Sequence, residues 1–154
     1  MEYKETSTDL TVRYAVQDDI ATVSRFWSAL IKELQFSVSD KKVHKKLETL
    51  LVDRSAYINL CEYGGFPVGT ATLYISGNGP EKHAWMRRLI TDADYRRKGV
   101  ASRLIKNLLQ TAQNEGCSKV YLECKPELVP FYNRFSFKID HQSSDGYVMR
   151  LLLN

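Results

Sequence analysis

The chain has 154 residues, with 22 Lys and Arg against 18 Asp and Glu for a formal net charge of +4, and is 44% hydrophobic and 26% charged. These values exclude disorder, a collagen-like chain and a coiled coil, and suit one domain whose core needs no disulfide or metal staple. No apolar run approaches the roughly 18–20 residues of a membrane span, and the charge falls well short of a histone-like nucleic-acid binder. Residues 1–9 are mostly polar and lack a signal-peptide core, so they are expected to form a flexible terminus ahead of a single cytoplasmic domain over 10–154.

In chain order, Leu10, Val12 and Tyr14 alternate with polar neighbours and predict a half-buried strand. Asp18 and Asp19 suit a helix N-terminus, where carboxylates meet the positive end of the macrodipole. Ile20, Val23, Trp27, Leu30, Ile31 and Leu34 then fall at spacings of three and four, an amphipathic helix. A second helix starts near Ser39 and Asp40, with Val43, Leu47, Leu50 and Leu51 on one face and Lys41, Lys42, Lys45 and Lys46 on the other. Runs at 57–63 and 68–76 flank Gly64-Gly65 as a hairpin, and 83–91 adds a third strand after the loop at 77–80.

The pattern then alternates. Ala101, Leu104, Ile105, Leu108, Leu109 and Ala112 predict a helix ending at Gly116, followed by a strand at 119–124 and a short helix at 127–134 behind Pro126. Two closing strands, 137–142 and 147–153, surround a turn at Ser144-Asp145-Gly146. The order β-α-α-β-β-β-α-β-α-β-β defines an α/β (α+β) domain: a mixed central sheet of about six to seven strands with helices on both faces.

Between the strand at 83–91 and the long helix lies Arg96-Arg97-Lys98-Gly99-Val100-Ala101. N–H groups at a helix start lack intrahelical partners, and together with the dipole they bind phosphate. A glycine admits the ligand closely, and Arg96, Arg97, Lys98 and Arg103 add positive charge. The spacing is neither a Walker A loop nor G-x-G-x-x-G. On the run alone, an anion cradle and a solvated basic turn are both open.

This run resembles the Q/R-x-x-G-x-G/A signature of the GNAT-type N-acetyltransferases. A second segment agrees: Tyr121-Leu122-Glu123-Cys124 and then Phe131-Tyr132-Asn133-Arg134-Phe135-Ser136-Phe137 are similar to that family's fifth strand and F-Y-x-x-x-G-F ending. The resemblance covers nearly the whole chain. It implies acetyl-coenzyme A as co-substrate and a primary amine of a small molecule or peptide as acceptor, reacting by direct attack in a ternary complex, and it is compatible with a homodimer. It further implies that Leu89, Ile90 and Thr91 pair through their backbone with the pantetheine arm, and that Arg96, Arg97, Lys98, Gly99, Val100, Ala101 and Ser102 wrap the pyrophosphate. The resemblance also implies that Arg134 reaches toward the cofactor phosphates and that Tyr132 takes the place of the proton donor to the departing thiolate.

The chemistry asks for a base to deprotonate the ammonium, an N–H donor for the thioester oxygen and an acid for the thiolate. A tyrosine with an ordinary pKa of about 10 lies within about two units of a thiol. Family members commonly carry an acidic residue in strand four, where this chain has Arg87 and Arg88. Glu123 is the replacement candidate for the base; its other reading is an ordinary carboxylate, exposed or paired with Arg87 or Arg88, and a water relay is a third route. Residues 119–137 also resemble the glucosamine-phosphate acetyltransferases, but the acidic pair of those enzymes is absent and Ser136 replaces a glycine, so the expectation stays with the broad family.

Other candidates have two readings each: Cys124 a reactive or a buried thiol, Trp27 and Phe26 an acceptor pocket or core, the lysines at 41–46 an acidic-partner site or a solvated face. His83 has nothing beyond its strand position to recommend it. The three cysteines form no C-x-x-C pair, the three histidines lie far apart, and no metal site is expected. Two further functions stand beside the enzyme: an acyl-coenzyme A-binding sensor or scaffold without turnover, and, more weakly, nucleic-acid binding, for which no recognisable module is present. Neither nucleic acid nor membrane is expected as a partner.

Overall fold

The computed structural model describes residues 9–34, 36–53 and 56–153, so that the stretch expected to be flexible lies, except for Asp9, outside them. The elements are β1 (Leu10–Tyr14), α1 (Ile20–Glu33), α2 (Asp40–Val52), β2 (Ala56–Tyr63), β3 (Phe66–Ser76), β4 (His83–Thr91), α3 (Val100–Asn114), β5 (Lys119–Cys124), α4 (Val129–Asn133), β6 (Lys138–Gln142) and β7 (Tyr147–Leu152). Among the described residues, seven strands form one mixed sheet in the order β1-β2-β3-β4-β5-β7-β6, flanked by α1 to α4. The described residues divide into two compact units, within Met1–Thr72 with Arg88–Leu108 and within Leu73–Arg87 with Leu109–Asn154.

In the first unit β1 and β2 pair antiparallel from Leu10↔Tyr63 to Tyr14↔Asn59. Helices α1 and α2 bury Ile20, Val23 and Trp27, and Val43, Leu47 and Leu50, from the stripes that the spacing of three and four predicts; Leu30, Ile31 and Leu51 are half-buried, and Leu34 lies past the end of α1 and is exposed. Ser39 caps α2 by accepting the Lys42 N–H at 3.2 Å. Asp19 stands at the N-terminus of α1, as expected, and does more there. Its carboxylate accepts both terminal Arg13 nitrogens, at 2.8 and 2.9 Å, and the Val16 N–H at 2.7 Å, bracing the chain between β1 and the helix entrance.

In the second unit β5 is central. It pairs parallel with β4 through His83↔Lys119, Ala84↔Val120 and Trp85↔Tyr121, and antiparallel with β7 along its whole length. Val120, Leu122 and Cys124 point into the core, while Lys119, Tyr121 and Glu123 take the opposite face. The single helix expected at 127–134 is instead a 3₁₀ turn (Pro126–Leu128) followed by α4. Pro130 has no N–H for an i→i−4 bond, so the chain enters by the tighter turn.

Candidate active site

The first set of expected site residues lies in the first unit. Leu89, Ile90 and Thr91 end β4 half-buried. The Asp92 N–H then bonds the Val68 carbonyl at 2.8 Å, and its carboxylate accepts the Asp94 N–H at 2.9 Å, closing a 3₁₀ turn (Ala93–Tyr95). Arg96 is extended, Arg97 is left-handed at φ 64°, and Gly99 is left-handed at φ 85°. Positive φ at 97 and 99, with a negative value between, is the backbone pattern of an anion nest. The nearest atom to a Cβ on Gly99 would be Leu10 Cδ1 at 4.0 Å, so the glycine serves the turn rather than relieving a clash.

Helix α3 begins at Val100, and the Arg103 N–H makes its bond to the Gly99 carbonyl at 3.0 Å. Arg96, Arg97 and Lys98 are exposed at the head of this 15-residue helix. The Arg103 guanidinium bonds the Leu10 carbonyl at 2.7 Å and so also ties α3 to β1. Arg96 makes a loose 3.9 Å ion pair with Glu33 at the end of α1.

The second set lies in the second unit. Tyr132 is buried on α4, edge-on to Phe131 and Phe137. Burial, with a smaller contribution from Cys124, pushes its phenol up to about 12. The proton therefore stays on the ring throughout the neutral range, as an acid requires. The gap to an ordinary thiol widens from the two units expected to about 3.5. Glu123 is exposed on β5, and among the described residues it makes no ion pair, so the salt-bridged reading falls away. Arg87 lies 4.8 Å over the Trp85 ring, and Arg134 lies 5.2 Å over the Phe131 ring.

Cys124 is buried, with its Sγ 3.6 Å from Met149 Sδ, and burial raises its thiol pKa. It is a packed core group. Trp27 is 2% exposed and belongs to the core, while Arg88, left-handed at φ 54° inside β4, lays its guanidinium 4.2 Å over the indole. Ser136, where family members carry glycine, is left-handed at φ 72°. The glycine serves a backbone conformation, which serine adopts here at a cost.

Two residues absent from the sequence reading position the loop and the start of α3. A Cβ on Gly69 would stand 2.7 Å from Val100 Cγ1 and 2.9 Å from the Ile90 carbonyl, so only glycine lets the start of α3 lie this close to β3. Asn59 is wholly buried and donates to the Leu104 carbonyl (3.2 Å) and Asn107 Oδ1 (3.0 Å), while accepting the Ala71 N–H (3.1 Å). It locks β2, β3 and α3 together.

The family model described as acetyltransferase (GNAT) family matches residues 23–137, and the chain belongs to that family. A probable glucosamine 6-phosphate N-acetyltransferase 2 of Oryza sativa subsp. japonica is 33% identical over 64 residues, 42% of this chain and 37% of that protein. A glucosamine 6-phosphate N-acetyltransferase of Trypanosoma brucei brucei is 30% identical over 74 residues, 46% of this chain and 50% of that protein. The match thus spans half or less of these relatives, which are glucosamine-phosphate acetyltransferases, the group whose acidic pair this chain lacks. Among solved structures, the PaiA N-acetyltransferase of Thermoplasma acidophilum in complex with coenzyme A shares the fold, with a TM-score of 0.76 at 15% identity, covering 94% of this chain and 99% of that one.

Proposed function

We propose that residues 10–154 form one acetyl-coenzyme A-dependent N-acetyltransferase domain that acetylates a primary amine of a small molecule or peptide by direct attack in a ternary complex. The observation that carries the reading is the loop at 96–99, basic and twice left-handed, opening directly into α3. Its geometry fits a pyrophosphate: Arg96, Arg97 and Lys98 supply charge, and the backbone of Gly99, Val100, Ala101 and Ser102 supplies N–H donors. The co-substrate supplies the activated acetyl group. Leu89, Ile90 and Thr91 offer backbone to its pantetheine arm, and Arg134 is a further phosphate contact. Tyr132 holds the proton for the leaving thiolate, and Glu123, exposed on β5, takes the proton from the ammonium. The glucosamine 6-phosphate relatives support a small-molecule amine as acceptor. A cytoplasmic location, for which the three unpaired thiols speak, and a homodimer belong to the same reading.

Calorimetric titration with acetyl-coenzyme A, followed by thiol release over an amine and peptide panel, tests it. Saturable binding lost in Arg97→Glu and Gly99→Glu, with thiol release from the parent, is expected; unchanged affinity in a folded Gly99→Glu variant would sink the reading. Glu123→Gln should lower turnover by about 100-fold while leaving cofactor affinity intact. Unchanged turnover removes Glu123 as base.

A second reading, an acyl-coenzyme A-binding sensor or scaffold, is favoured by two observations: arginines at the β4 positions where acids are common, and a phenol pushed up to about 12. Cofactor binding without release on any acceptor would select it.

A further inference from the structure

An arginine at position 88 is costly to the fold. It lies inside β4 with φ 54°, a value that glycine takes freely and an L side chain resists. Its guanidinium lies 4.2 Å over the ring of Trp27 on α1, and that indole carries a second cost. Trp27 is buried, and among the described residues its Nε1 has no hydrogen-bond partner. Backbone strain and an unmet buried donor thus fall on one pair of side chains. Costs of this kind persist where a fold holds a side chain ready for a ligand.

The pair stands beside the path proposed for the co-substrate. Helix α1 meets that path twice, through Trp27 at Arg88 and through Glu33, whose carboxylate is 3.9 Å from Arg96 of the loop. Six residues of helix separate the two contacts, a rise of about 9 Å. With the pyrophosphate at 96–102 and the pantetheine arm along Thr91, Ile90 and Leu89, the arm runs toward lower residue numbers. Its thioester end then falls next to residue 88. An acceptor amine that attacks there comes within reach of the Arg88 side chain.

The guanidinium indicates what that acceptor carries. A cation over an aromatic ring is held by the ring's quadrupole, so this contact takes none of its five N–H donors. The indole fixes a half-buried planar fork, and a planar carboxylate matches such a fork two bonds at a time. A phosphomonoester, with a charge of about −1.5 to −2 at pH 7, asks for a second cation. The next cations along the chain, Arg96, Arg97 and Lys98, are those assigned to the pyrophosphate. We infer, on the co-substrate path proposed above, that Arg88 is a specificity-determining residue that binds the carboxylate of the acceptor. The substrate class is amines that also carry a carboxylate: amino acids and their ω-amino homologues.

Thiol release from acetyl-coenzyme A is measured on matched amines: lysine against cadaverine and 6-aminohexanoate against pentylamine for the carboxylate, phosphoethanolamine against ethanolamine for phosphate. The parent should favour each carboxylate-bearing amine over its counterpart at least tenfold in kcat/KM. Arg88→Gln should abolish that preference through KM while changing the rates with cadaverine and pentylamine less than threefold. A residue that only covers Trp27 would lower Tm and leave the ratio where it was. If Arg88→Gln fails to fold, Arg88→Lys, which keeps the charge but not the fork, should lose the preference at least threefold. Binding is read apart from turnover: Trp85→Phe leaves Trp27 as the single tryptophan. Its fluorescence should respond saturably to 6-aminohexanoate, not to pentylamine, and not when Arg88→Gln is added. An unaltered preference in the folded Arg88 variant, faster reaction of phosphoethanolamine than of the carboxylate-bearing amines, or a Trp27 signal that is absent or the same for 6-aminohexanoate and pentylamine overturns the inference. Thiol release from no amine, beside a Trp27 response that needs Arg88, overturns the transferase reading and leaves the carboxylate site standing.

Discussion

Ser136 and Tyr132 sit four residues apart and illustrate opposite relations between a side chain and its backbone. At Ser136 the fold demands φ 72° and the side chain resists it. A left-handed non-glycine residue costs about 1–2 kcal/mol, and glycine returns part of that as unfolded-state entropy. Ser136→Gly should therefore stabilise the protein by about 0.5–1 kcal/mol, seen as a rise of a few degrees in Tm by circular dichroism; a fall would mean that the serine side chain contributes a bond of its own. At Tyr132 the backbone is unremarked and the environment acts on the hydroxyl. Burial holds the phenol protonated, so Tyr132→Phe should lower kcat by about tenfold or more and leave acetyl-coenzyme A affinity within twofold. Equal turnover would strip the residue of its role as donor.

At the scale of elements, α3 matters most, because its first turn is the cradle proposed for the pyrophosphate. Its placement rests on Gly69 beneath it and on Asn59 beside it. Asn59→Ala removes a buried side chain with three hydrogen bonds and leaves the Ala71 N–H and Leu104 carbonyl without that partner, which should cost about 2–4 kcal/mol in chemical denaturation. Gly69→Val should be milder for overall stability than for function: with Val100 and the Ile90 carbonyl in the way, the helix head must shift, and cofactor affinity should fall at least tenfold in a protein that still folds. Preserved affinity would show that α3 tolerates the displacement. Neither residue was legible in the sequence. An asparagine in a strand reads only as a weak strand former, and its partners on α3 lie 45 and 48 residues away. The order of strands and helices was legible, because amphipathic spacing and Gly-Gly punctuation are local. The loop at 96–102 was legible for the same reason. What local pattern could not supply was commitment of side chains: Arg103 to the Leu10 carbonyl, Asp19 to Arg13, and Arg88 to the indole of Trp27.

For the whole molecule, two global measurements follow from buried and paired groups. Hydrogen bonding from Arg13 lowers the Asp19 pKa below its ordinary value. A carboxylate lowered on folding stabilises the native state fully above its unfolded pKa of about 3.9, and that stabilisation is lost as pH falls through the folded value. Acid unfolding should consequently begin at higher pH in Asp19→Asn, and its stability below pH 4 should depend less on pH than that of the parent. The three cysteines are buried, and desolvation raises each thiol, that of Cys61 to about 11. Ellman's reagent at pH 8 should find almost no reactive thiol in the native protein and three after denaturation. Rapid labelling of the native chain would show that one of these sites opens readily.

The short β4–β5 ladder has a consequence of another kind. It ends at Trp85, and β4 continues for six more residues, through Thr91. A strand that outruns its neighbour carries peptide groups with bonding capacity to spare, and such a margin is where chains recruit one another into fibrils. A ligand that lies along this margin would then act as a chaperone for its own enzyme. Turbidity on prolonged warming should be lower with saturating coenzyme A than without it, by more than the gain in melting temperature accounts for.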